Sequence, residues 1–75
     1  NKTTWKHIGT EVKELRKALQ ISQRELSDRL QVVGLDIDKN AVQRIESGER
    51  FVTDIEIIAL SKCFNVTVNN LLGIK

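Results

Sequence analysis

Seventy-five residues make one domain spanning 1–75, and a chain this short buries only about 60% of its unfolded surface, so its core must be efficient. An apolar fraction of 40% with 29% charge excludes a disordered tail, and no apolar run approaches the ~20 residues of a membrane span. Twelve Lys and Arg against ten Asp and Glu leave a net charge of only +2, a weak sign of nucleic-acid binding, and the single Cys excludes an internal disulfide and fits a reducing cytoplasm. The start, without Met or the apolar core of a signal peptide, reads as a trimmed one.

In chain order, Trp5, Ile8, Val12, Leu15 and Leu19 step by three and four, which predicts a first helix from about Thr4 to Leu19. A local signal then recurs: a polar cap preceded by an apolar residue and followed four positions later by another. Ile21-Ser22 with Leu26, Ile37-Asp38 with Val42, Val52-Thr53 with Ile57 and Val66-Thr67 with Leu71 all fit it. Ser22 and Thr53 add the Glu of a capping box at Glu25 and Glu56.

The second helix is expected to bury Leu26, Leu30 and Val33 and to stop at Gly34, with Leu35 folding back on Leu30. The third buries Val42 and Ile45, with Ala41 in part, and ends at Gly48. The fourth turns Ile57, Leu60 and Phe64 inward and stops at Asn65. The fifth is short, Val68 to Leu72, closed by Gly73. No strand-like alternation, linker or repeat of whole domains is present, so the expected class is all-α, a compact bundle of five short helices.

The third helix carries the most suggestive polar face. Lys39, Asn40, Gln43 and Arg44 stand at i, i+1, i+4 and i+5, one stripe without an acid. Arg pairs with both acceptors of guanine, and Asn or Gln pairs with adenine, so the stripe suits major-groove edges. An ordinary solvated helix face has the same composition, and the stripe alone leaves both readings open.

The order Gly9…Leu15-Arg16…Ser22-Gln23-x-Glu25-Leu26, then Arg44-Ile45-Glu46-x-Gly48, then Leu60…Phe64-Asn65-Val66-Thr67-Val68…Leu71-Leu72-Gly73 resembles the lambda-repressor and Cro helix-turn-helix family. This family is also called the xenobiotic-response-element type. The resemblance runs from about Gly9 to Gly73 and implies a five-helix DNA-binding domain whose second and third helices form the helix-turn-helix. It implies that Lys39, Asn40 and Arg44 read bases from a recognition helix over residues 39–46, with Gln43 beside them. It implies that Gln23 bonds a phosphate and braces that helix, and that Arg50 and backbone N–H groups near Thr53 meet phosphates. It also implies a structural pair between Arg16 and Glu46.

Three departures stand out. The stretch from Gln23 to Asp38 is about five residues longer than in the shortest members, read as an extra turn through Val33 and an extended Leu35-Asp36-Ile37. Gln20 occupies a turn position where glycine is common. Glu49 sits beside Arg50 and opposes the phosphate field.

No catalytic constellation, metal set or cofactor loop accompanies these features. His7 stands alone on the first helix's surface, Cys63 reads as a small helical residue near the core, and Trp5 begins an apolar stripe. Asp38 is a cap, and Asp36, Glu11 and Glu14 are solvated charges.

The expected function is therefore sequence-specific binding of double-stranded DNA by a cytoplasmic prokaryotic or phage regulator, a repressor acting as a homodimer, with no effector legible. Self-association is expected through Leu71, Leu72 and Ile74 or a region beyond Lys75. The competing expectation is an antitoxin-like interaction module that also binds its own promoter, with Val32, Val33, Leu35 and Ile37 as its apolar patch.

Overall fold

A computed structural model describes residues 2–73, with side chains described from Trp5 onward. Its elements are α1 (Lys2–Ala18), α2 (Gln23–Val32), α3 (Lys39–Ser47), α4 (Asp54–Phe64) and α5 (Val68–Leu72). No strand occurs among the described residues.

The four expected caps open the last four helices. Ser22, Asp38, Thr53 and Thr67 each hold extended backbone, and each side chain accepts from the N–H three residues on. The Glu25 and Glu56 carboxylates complete the two boxes by accepting the backbone N–H groups of Ser22 and Thr53. Substituting such a cap by Ala removes about 1 kcal/mol. The stops are also local. Gly34, Gly48, Asn65 and Gly73 take left-handed backbone, and the Leu35 N–H returns 2.9 Å to the Leu30 carbonyl.

The apolar faces meet in one core. Ile8 and Val12 of α1, Leu26 and Leu30 of α2, Val42 and Ile45 of α3, Leu60 of α4 and Leu71 of α5 are almost wholly removed from water. Each such Leu or Ile contributes roughly 1.5–3 kcal/mol of burial. Gly9 lets α1 approach α3 closely. A β-carbon there would overlap the Ile45 carbonyl oxygen and lie 2.8 Å from that of Glu46.

Two expected core positions are not core. Leu19 is 46% exposed, because α1 ends at Ala18 and the chain reverses before another turn forms. Val33 is 40% exposed, because it is the C-cap of α2, where the backbone leaves helical geometry. The first helix also begins earlier than the apolar stripe suggests, at Lys2.

The turn after α1 explains Gln20. Its N–H bonds the Lys17 carbonyl at 2.9 Å, and the next N–H, of Ile21, reaches back to Arg16. This closure needs left-handed backbone, and Gln20 adopts φ 58°. A side chain there costs about 1 kcal/mol relative to glycine. Gln20→Gly is therefore expected to stabilise the domain by roughly 0.5–1 kcal/mol, read as a higher urea midpoint at unchanged slope. A lower midpoint would mean that the Gln20 side chain supplies a contact of its own.

Candidate nucleic-acid interface

α3 is held from one side and open on the other. Ala41, Val42 and Ile45 are buried, whereas Lys39, Asn40, Gln43 and Arg44 are all exposed. Among the described residues, no hydrogen bond or ion pair engages the side chains of those four. They form a stripe of two cations and two amides with free donors and acceptors.

Both ends of this helix are fixed. At the start, the Asp38 carboxylate accepts the Ala41 N–H at 2.9 Å. At the end, Gly48 and Glu49 return their N–H groups to the carbonyls of Ile45 and Arg44. The buried Glu46 then ties the end to the other two helices. Arg16 Nε donates to Glu46 Oε2 at 2.6 Å, Arg16 Nη2 to Oε1 at 3.1 Å, and Gln23 Nε2 to Oε1 at 3.2 Å. The third guanidinium nitrogen, Nη1, donates to the Ile21 carbonyl at 2.9 Å. Arg16 and Glu46 side chains are 13% and 4% exposed, so the pair is shielded from solvent. The hydrogen bond to Glu46 raises the Arg16 pKa above its ordinary value, burial opposes this, and the Glu46 charge adds to the rise. The guanidinium is a permanent cation here.

Gln23 therefore lies at the first turn of α2 with its amide nitrogen on Glu46, in a bracing position. Arg50 is not a free cation. It pairs with the buried Glu56 carboxylate and donates to the Phe51 carbonyl at 3.3 Å. Thr53 is likewise engaged: its N–H donates to Glu56 Oε1 at 2.9 Å, and its hydroxyl oxygen accepts the Glu56 N–H at 3.2 Å. At that helix start the capping box leaves the N–H groups of Asp54 and Ile55 to other partners, beside the Asp54 carboxylate. Glu49, the acid beside Arg50, accepts the Ser47 hydroxyl at 3.0 Å and stays exposed.

Sequence patterning did not single out Arg24. It is exposed at the first turn of α2 and lines, with Lys39, the shallow groove between α2 and the start of α3. Its place directly after Gln23 is the signal that could have marked it. Phe51 was also missed. It packs against Trp5 with ring centroids 4.2 Å apart and planes tilted by 53°, joining the α3–α4 loop to α1.

The remaining chemistry-bearing residues have ordinary settings. His7 is exposed. Cys63 is half-buried, and burial pushes its thiol pKa up against the pull of Arg29, the opposite of an activated nucleophile. Among the described residues, no cluster could hold a metal ion. No described helix is long and apolar enough to cross a membrane.

The segment expected for self-association is described only in part. Leu71 is fully buried and Leu72 half-buried, and Ile74 and Lys75 lie outside the described residues. Of the apolar patch Val32, Val33, Leu35 and Ile37, the last is buried and Leu35 half-buried, because the α2–α3 connection turns Ile37 into the core and packs Leu35 against it.

A helix-turn-helix family model, of the Cro and C1 type, matches residues 12–71. The chain belongs to the lambda-repressor and Cro-like helix-turn-helix family. No curated protein and no solved structure matches it. The family is one of DNA-binding transcription regulators and is generally non-enzymatic, and it makes double-stranded DNA the partner. In this chain the two helices of the motif are α2 and α3, joined by residues 33–38, where the Ile37 N–H turns back 3.1 Å to the Leu35 carbonyl.

Proposed function

We propose that this domain binds double-stranded DNA sequence-specifically, as a repressor of prokaryotic or phage origin acting in the cytoplasm, with α3 lying in the major groove. The observation that carries this is the unengaged Lys39, Asn40, Gln43 and Arg44 stripe on a helix fixed at both ends. Arg44 and Asn40 carry the base reading, since a bidentate pair discriminates by about 1–3 kcal/mol. Gln43 flanks them. Lys39, at the groove that also holds Arg24, serves phosphate or guanine.

The phosphate contacts rank by what each group already does. Gln23 keeps its second amide N–H available while the first braces Glu46. Arg50 and Thr53 come second, because the Arg50 charge is already paired with Glu56 and the Thr53 N–H already donates to that carboxylate. One domain reads only a few base pairs, so two copies on half-sites roughly 34 Å apart supply the rest of the specificity.

Lys39 gives a direct electrostatic test. Duplex binding is titrated by fluorescence anisotropy over a series of salt concentrations. Lys39→Ala is expected to weaken binding and to reduce the slope of log K against log salt by about one. Weaker binding with an unchanged slope would move Lys39 from phosphate to base, and unchanged binding would remove it from the interface.

A further inference from the structure

α4 should have one apolar face and has two. Ile57, Ala59 and Leu60 are buried, yet Ile55 on the outer side is 73% exposed and Ile58 47%. A helix apolar all round is ordinarily covered on all sides. Ile58 is a ridge between two shallow clefts. On one side lie Val33, Leu35, Ile55 and Ala59, and on the other Ile57, Val68 and Leu72. Val32, 87% exposed, extends the apolar area onto the last residue of α2. None of the α3 stripe residues lines these clefts.

The charges around this face are arranged by sign. Asp54 stands four residues before Ile58 and Lys62 four residues after it, both exposed, and among the described residues neither has an ionic partner. Arg29 joins Lys62 at the basic end. A two-fold axis through Ile58 would set α4 antiparallel to the α4 of a second copy. Asp54 would then face Lys62 of that copy, twice over, and Ile55 would face the small Ser61. Ile58 would meet its own counterpart. Parallel pairing would place like charges together, which costs several kcal/mol. The pattern is self-complementary, as an isologous contact requires.

We propose that this face is a homodimer surface, formed by antiparallel α4 pairing around Ile58. It names the surface for the DNA-bound dimer above and rests on that reading only for its purpose. It is tested without DNA, so the two can fail separately.

Sedimentation equilibrium of the chain from about 1 to 300 μM is expected to show concentration-dependent dimerisation, spanning the weak-interface range. Ile58→Glu is expected to weaken it at least about tenfold with helicity and melting intact, since the position is half open. Asp54→Lys and Lys62→Asp are each expected to weaken self-association, whereas their equimolar mixture should dimerise again, because both cross-pairs are then opposite in sign. A chain that stays monomeric to 300 μM would overturn the proposal and leave the face to a foreign partner. Dimers indifferent to Ile58→Glu, or charge variants that fail to rescue each other when mixed, would overturn it as well.

Discussion

Gly9→Ala is expected to destabilise the domain by about 3 kcal/mol, out of a total of roughly 4–11 kcal/mol for a chain of this length. A residue in mid-helix ordinarily gains about 1 kcal/mol from this change. Here the added methyl meets backbone, not a side chain that can turn aside. The carbonyl oxygens of Ile45 and Glu46 occupy the space, and they belong to the last turn of α3. α1 must move away from α3, opening the contact that Ile8, Val12 and Ile45 make in the core. The check is thermal melting: a loss of roughly 10–25 °C for a domain this small. An unchanged or raised melting temperature would mean that the two helices are farther apart than described.

Glu46→Ala is expected to cost about 3 kcal/mol as well, for a different reason. The carboxylate is the shared acceptor of Arg16 and Gln23, so its loss leaves a largely buried cation and an amide unpaired. Unpaired buried charge, not the missing attraction, carries most of the effect. Replacing both charged partners should therefore do less harm than replacing one. Arg16→Met combined with Glu46→Leu is expected to recover at least half of the loss, measured by urea unfolding. If the double variant falls as far as the sum of the singles, the pair is not coupled and Glu46 is held by other contacts. The α3 stripe should also lose its fixed position, so DNA affinity in Glu46→Ala falls even at temperatures where the domain stays folded.

Local chemistry explains what the sequence made legible. A cap, its box partner and its staple lie within six residues, so the starts at Ser22, Asp38, Thr53 and Thr67 could be read in the chain itself. The α3 stripe was legible for the same reason, since periodicity fixes which residues share a face. Leu19 and Val33 were misplaced because periodicity carries on past the residue where the backbone turns. The left-handed Gln20 and Gly34 decide that point. Interactions between elements distant in sequence were hidden. Glu56 was visible as a capping residue, but its second oxygen on Arg50 depends on the path of the intervening loop. The reason for Gly9 lies some three dozen residues away, in two carbonyls. α4 was visibly apolar, while the division into an inner face and the open Ile55–Ile58 face appears only once the core is assembled.

The central claim is that the exposed face of α3 reads bases, and selection from random duplex DNA tests it most directly. Wild-type protein and Arg44→Ala are taken through the same rounds and their enriched sites compared. The wild type should enrich a defined half-site, and Arg44→Ala, still folded, should enrich the same site with one position relaxed, about 1–3 kcal/mol of discrimination lost there. Failure of the wild type to enrich any sequence, or an identical site from both proteins, would contradict the assignment.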